Sequence, residues 1–183
     1  MRIHRPVAAA IAVLCSAFLF AAPTGAAQAQ SATETLTIDE VLAKEAAAGE
    51  IGAQAQTLYY CAVIDGTTGC QSGYPIGSGL VVARLYQYSN FNVTRNGVEG
   101  FQIVVYNPRY SVGCTSGTGD NEGRFNLGAA HRNSINSVKT YNGCDVKLYN
   151  GANRSGSSTP FIDQAANLNV YGFNNSAESV QIS

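Results

Sequence analysis

The chain has 183 residues, 45% of them hydrophobic and 13% charged, with a formal net charge of −1. A near-neutral balance offers no basic surface of the kind that holds a nucleic acid or an anionic bilayer, and the hydrophobic content excludes wholesale disorder. The length suits one ordinary domain.

The first 29 residues distort these figures. Arg2 and Arg5 precede an apolar run over residues 7–22, Pro23 and Gly25 interrupt it, and Ala27-Gln28-Ala29 supplies an A-x-A cleavage site. That order predicts a secretory signal peptide over 1–29, its apolar run being short for a membrane span. Cleavage after Ala29 leaves 154 residues, removes both arginines and Cys15, and takes the net charge to −3. The expected product is secreted, soluble and mildly acidic, with no membrane partner once the signal is gone.

Cys61, Cys70, Cys114 and Cys144 remain, an even number for an oxidising compartment. Of the three possible connectivities, Cys61–Cys70 with Cys114–Cys144 closes the shorter loops at lower entropic cost. The absence of C-x-x-C and a single mature histidine, His131, argue against a zinc site.

Residues 30–57 form an Ala-rich leader. Thr37-Ile38-Asp39-Glu40 is a capping box, Ile38, Val41 and Leu42 follow at helical spacing, and Gly49 is a stop. A short helix over about 38–48 is expected, either as a poorly docked extension or as a propeptide or partner-binding helix, on a β-domain that does not need it.

From residue 58 the signals become those of strands. Residues 80–86, Phe101-Gln102-Ile103-Val104-Val105-Tyr106, residues 146–149 and Val180-Gln181-Ile182 read as β, separated by Gly, Asn, Ser and Pro clusters. Asn is absent before residue 90 and occurs fifteen times from there on. Asn133-Ser134-Ile135-Asn136-Ser137-Val138 recurs as Asn175-Ser176-Ala177-Glu178-Ser179-Val180, Asn126-Leu127 as Asn167-Leu168, and Tyr106-Asn107 as Tyr149-Asn150. A unit of about forty residues used twice suits four antiparallel strands in a Greek key, giving an all-β sandwich over 58–183 with keys at about 101–143 and 144–183.

The order Leu148-Tyr149-Asn150, Asn167-Leu168 and Gly172-Phe173-Asn174-Asn175-Ser176-Ala177-Glu178-Ser179-Val180 resembles a βγ-crystallin Greek key. In style it is similar to secreted actinobacterial peptidase inhibitors of the metalloproteinase-inhibitor family and to killer-toxin-like antifungal proteins. The resemblance implies a βγ-crystallin-like sandwich in which segments of the form N-D-x-x-S-S close each motif and can hold Ca²⁺. Place by place, the first closing segment reads Arg132, Asn133, Ser134, Ile135, Asn136, Ser137, and the second Asn174, Asn175, Ser176, Ala177, Glu178, Ser179. Asn136 and Glu178 stand where the family has a hydroxyl ligand; both carry oxygens that a hard cation accepts, so they are the candidate Ca²⁺ residues.

Catalysis finds little provision. His131 sits in a turn-like Ala-Ala-His-Arg stretch, Gly77-Ser78-Gly79 is no nucleophile elbow, and no glycine-rich loop leads into a helix with a lysine. No cofactor is expected beyond Ca²⁺. The resemblance implies a non-enzymatic inhibitor of a secreted peptidase, a metallopeptidase by family style. The segment from Cys114 to Arg124 is its candidate blocking loop, presenting Thr115, Ser116, Thr118, Asp120 and Asn121. Two other roles stand beside it: a structural Ca²⁺-binding protein, and a cell-wall-binding antimicrobial.

Overall fold

The computed structural model describes residues 35–50, 57–64, 67–72, 75, 77–109, 113–115 and 121–183. The expected signal peptide and its cleavage site lie outside them, as do Ser116, Thr118 and Asp120. No helix among the described residues is long and apolar enough to cross a membrane.

The helix α1 spans Ile38–Glu50, and the strands before residue 100 are β1 (Thr57–Ile64), β2 (Thr67–Ser72), β3 (Leu80–Tyr86), β4 (Thr94–Arg95) and β5 (Val98–Glu99). After it come β6 (Phe101–Asn107), β7 (Gly123–Asn126), β8 (Ser137–Thr140), β9 (Val146–Tyr149), β10 (Gln164–Ala165) and β11 (Ser179–Ile182). They form a six-stranded sheet in the order β10-β8-β3-β6-β1-β2, a three-stranded sheet β7-β11-β9, and a ribbon β4-β5. Among the described residues only the β1–β6 pairing is parallel.

Two Greek keys are interlocked here. β3, β6 and β8 of the first share a sheet, while its third strand, β7, crosses to pair with β11 of the second. The second reciprocates by sending β10 to β8. The matched registers Tyr86↔Ser137 and Tyr149↔Ser179 make β3 the counterpart of β9. The first key therefore begins at Leu80, not near 101 as the repeat arithmetic suggested. Tyr149-Asn150 corresponds to Tyr86-Gln87, and the Tyr106-Asn107 match is a coincidence of composition. A longer connection between β3 and β6 and another between β6 and β7 stretched the first copy and disguised its spacing.

Strand alternation divides the core into two. Cys61 and Val63 of β1 and Ile103 and Val105 of β6 face the second sheet, joining Leu85, Leu127, Val138, Leu148, Leu168 and Val180 between the sheets. Tyr60, Ala62, Val104 and Tyr106, one residue out of phase, face the other way and are equally buried. Every residue of β6 is buried, which explains why its sequence does not alternate apolar with polar residues.

The leader covers that second face, so the expectation of a poorly docked extension is corrected. Leu36, Ile38 and Val41 are buried against Tyr60, Val81, Val104, Tyr106 and Tyr141. The capping box forms: Thr37 N and Oγ1 donate to Glu40 Oε2 at 2.8 and 3.0 Å, and Glu40 N donates to Thr37 Oγ1 at 3.3 Å. Those bonds, the backbone one first, hold the Glu40 carboxyl below its usual range. The chain before α1 pairs with the start of β3, Ile38 N donating to Gly79 O and Val81 N to Leu36 O. Buried Asn142 completes the seam, its Nδ2 donating to Leu36 O at 3.0 Å and Val81 O at 2.8 Å. Sequence periodicity marked the helix but not its partner, because the even-numbered residues of β1 and β6 read as one apolar run with their neighbours.

Cys61 is joined to Cys70 and Cys114 to Cys144. The first links directly opposed residues of the β1–β2 hairpin. The second ties the segment after β6 to the entry of β9.

Candidate functional site

The two closing segments meet at the pseudo-twofold between the keys. Asn133 and Asn175 occupy equivalent places, both left-handed with φ of 54° and 52°, a conformation asparagine tolerates better than most residues. Each is hydrogen-bonded through its amide to the opposite segment: Asn133 N donates to Ala177 O and Asn175 N to Ile135 O. Ser137 and Ser179, the last residues of the segments, are equivalent clamps. Ser137 Oγ donates to Tyr88 O and accepts from Phe91 N, while Ser179 Oγ donates to Gly151 O and accepts from Arg154 N. Both serines are buried and hold the 3₁₀ turns that follow β3 and β9.

At the place before each serine the symmetry breaks. Asn136 Nδ2 donates to Gln87 O at 2.5 Å and to Asn175 Oδ1 at 2.7 Å. Its amide thus directs its N–H groups at the Gln87 carbonyl and the Asn175 side-chain oxygen. Glu178, in the equivalent place, is half-buried, and one carboxylate oxygen accepts a long 3.4 Å hydrogen bond from Asn133 Nδ2. One half is filled by a donor belonging to the chain; the other presents a carboxylate beside an asparagine. The sequence put Asn136 and Glu178 in parallel roles, and the hydrogen bonds separate them.

The candidate blocking loop is described only at its ends. Thr115 N and Oγ1 both donate to Glu122 Oε1 at 2.6 Å, and Cys114 N donates to Asn142 O at 3.0 Å. Asn121 is exposed. In sequence Glu122 is one of seven acidic residues in the β-domain, with no motif around it; in the fold it closes the base of the loop.

His131 also differs from the exposed turn residue expected. Its ring is half-buried, 4.0 Å from that of Tyr59 and 4.6 Å from that of Phe101. Burial lowers its pKa, and Nε2 is enclosed without a hydrogen-bond partner among the described residues. Its neighbours are rings, not a nucleophile and a carboxylate, so the geometry is unlike a triad. Asp145 is the other perturbed group. Burial first, then a hydrogen bond to the Asp163 carboxyl and its charge, push its pKa up to about 7. Sequence gave no sign of that pair, which meets across 18 residues.

These strands define an all-β sandwich of two interlocked Greek keys, a conclusion that rests on the chain's own strand order. No protein-family model matches the sequence, and no curated protein compared with it matches. Among solved structures it is similar to a βγ-crystallin domain from Flavobacterium johnsoniae, at 20% identity and a TM-score of 0.36, over 56% of this chain and 93% of that one. It is similar at 19% identity and a TM-score of 0.38 to the N-terminal domain of protein S, over 56% and 94% of the two chains. Protein S solved in complex with calcium matches at 16% identity and a TM-score of 0.38, over 82% of this chain and 88% of that one.

Proposed function

We propose that this chain is an exported, non-catalytic binding domain whose closing segments hold a single Ca²⁺ at the Asn133–Glu178 half. The asymmetry between the two halves carries the reading. A hard cation takes carboxylate and carbonyl oxygens, and Glu178 brings a charged one. The Asn133 side chain and the Asn150 carbonyl, counterpart of the Gln87 carbonyl on the other side, would complete the oxygen set. At the first half the Asn136 amide already satisfies the equivalent oxygens, so an ion there would have to displace two hydrogen bonds. Calorimetric titration of chelator-treated protein is expected to show one Ca²⁺ per chain. Ca²⁺ at 100 times its Kd should stabilise the fold by about 2.7 kcal/mol. Glu178→Gln should abolish binding, and Asn136→Ser should create a second site. Absence of heat and of any melting shift at millimolar Ca²⁺ rejects the proposal.

A second reading, blockade of a secreted peptidase, is favoured by the closed base of the 113–122 segment. The Thr115–Glu122 bonds hold its ends together and the Cys114–Cys144 disulfide anchors one of them, which lowers the ordering cost of entering a cleft. The partner would be a metallopeptidase, and the experiment is inhibition of metallo-, serine and cysteine peptidases before and after replacing 116–121 with Gly-Ser repeats. Inhibition lost on replacement supports it; no inhibition by the parent protein rejects it.

A further inference from the structure

The segment after β6 and the turn before β9 meet at a group of three ligand-bearing side chains that belongs to neither closing segment. Cys114 and Cys144 are disulfide-bonded, with Cα atoms 5.0 Å apart. Glu122 stands beside them: one of its carboxylate oxygens and the two sulfurs lie within 4.8 Å of one another. Glu122 Oε1 takes both Thr115 bonds, whereas Oε2 is enclosed without a hydrogen-bond partner among the described residues. A buried carboxylate oxygen left unpaired is costly, and a cation is a partner that relieves it.

Backbone contacts hold this group in place without help from the S–S bond. Gly113, at φ of 78°, passes so close to the Asn142 carbonyl that a Cβ would overlap it. Cys114 N donates to Asn142 O at 3.0 Å, Cys144 N to Tyr141 O at 3.1 Å, and Glu122 N to Ile182 O at 3.1 Å. Opening the disulfide therefore leaves the backbone of all three residues anchored. Two thiolates and a carboxylate are a donor set for a zinc-class ion: thiolates select against Ca²⁺ and Mg²⁺, and water takes the fourth tetrahedral place. Zinc–ligand distances of about 2.0–2.3 Å put tetrahedral donors about 3.5–3.8 Å apart. The Glu122 side has to close by about 1 Å while the sulfurs part. Neither a C-x-x-C spacing nor a histidine marks the group in the chain, because the fold assembles it.

We propose that Cys114, Cys144 and Glu122 form a redox-gated site for one thiophilic divalent cation of the zinc class, closed as the disulfide and open as the dithiol. A dithiol reductant opens it. Its thiolate attacks one sulfur, the S–S bond breaks as two electrons pass to the pair, and the reductant leaves as its own disulfide. Its two protons end on Cys114 and Cys144. The cation then displaces both protons to solvent and joins the two thiolates to Glu122 Oε2. In the reduced chain the ion closes the base of the 113–122 segment in the disulfide's place. Neither Asn133 nor Glu178 takes part, so the site stands or falls independently of Ca²⁺ binding.

The test uses the full chain carrying Cys61→Ala and Cys70→Ala, so that Cys114 and Cys144 are the thiol pair of the β-domain. It is reduced with dithiothreitol, freed of it under nitrogen, and titrated with Zn²⁺ and with Co²⁺. The reduced protein should bind one Zn²⁺ per chain and melt at a higher temperature with it, and Co²⁺ should give the charge-transfer band of a thiolate-bound ion. The oxidised protein should do neither. Glu122→Gln keeps an oxygen for the Thr115 bonds, so its circular dichroism should match that of the starting protein. It should nevertheless bind Zn²⁺ more than about tenfold more weakly, since losing only a supporting hydrogen bond costs about that much. Cys144→Ser should abolish uptake. The proposal is overturned if the reduced protein takes up no Zn²⁺, if Glu122→Gln binds it as tightly as the starting protein, or if the oxidised form binds it equally. A reduced chain that loses its β-sheet circular dichroism and does not regain it with Zn²⁺ overturns it too.

Discussion

Ile38→Ala asks whether the N-terminal helix is part of the folded unit. Ile38 is fully buried at the start of α1, between Leu36 and Val41 and against the outward tyrosines of β1 and β6. Truncating a buried Ile to Ala costs about 2–5 kcal/mol, the transfer of the lost carbons plus whatever cavity remains. The helix is short and open to solvent on its far side, so it can settle inward; the lower part of that range, about 2–3 kcal/mol, is expected. For a domain of this size each kcal/mol moves the melting temperature by about 2–4 °C, which places the variant about 4–12 °C below the parent. Lys44→Ala, on the exposed face, is the control and should move it by less than 2 °C, in keeping with surface changes of about 0.5 kcal/mol. Hydrogen exchange supplies the second reading. The amides of Val41 and Val81, bonded to Thr37 O and Leu36 O, should exchange through the same global opening as the core of β6. An Ile38→Ala protein that melts with the parent, with helix amides exchanging far faster than those of β6, would show that α1 frays independently and would refute the docking argument.

Other outcomes follow from particular contacts. Cys114→Ala should destabilise by about 3.6 kcal/mol and Cys61→Ala by about 2.6, the chain-entropy values for loops of 30 and 9 residues; equal melting of either variant and the parent by calorimetry would contradict the pairing. Asn142→Ala removes the side-chain donor shared by the Leu36 and Val81 carbonyls and puts Ala at φ of 56°, for about 2–4 kcal/mol; Asn142→Gly, which keeps the backbone, should recover part of this in urea titrations. Asp145 keeps its proton in the folded state up to about pH 7, while in the unfolded chain it loses it near 3.8. The folded state therefore binds more protons in that window, and stability falls as pH rises through it. Asp145→Asn should flatten the decline, and a melting profile unchanged between pH 4 and 8 would count against the Asp145–Asp163 contact.

Local chemistry made much of the fold legible. The capping box, the runs that became β3, β6, β9 and β11, and the repeated Asn-rich segments all appear in the chain as patterns of neighbouring residues. So do the cysteines, since the shorter loops are the ones closed. What pattern reading misplaced was long-range. It began the first key at 101 because β3 lies far from β8 in sequence, and it took Tyr106 for the partner of Tyr149 where register selects Tyr86. It gave Asn136 and Glu178 one role because they occupy one place in a repeat. Only the geometry shows that an amide turns its N–H groups toward Gln87 and Asn175 while a carboxylate cannot.

Hydrophobic periodicity, cap residues and turn residues act over a few positions, so the sequence alone determines that this chain is all-β after one helix, and that two similar units close on similar turns. Which faces are covered is a different matter. β1 and β6 bury both faces because a helix and a second sheet happen to lie on opposite sides, and an apolar run reads the same whatever covers it. The unequal width of the two sheets and the rings that enclose His131 depend on strand order. Strand order is set by which non-local pairings bury the most apolar surface together, and it was decided by the tertiary structure.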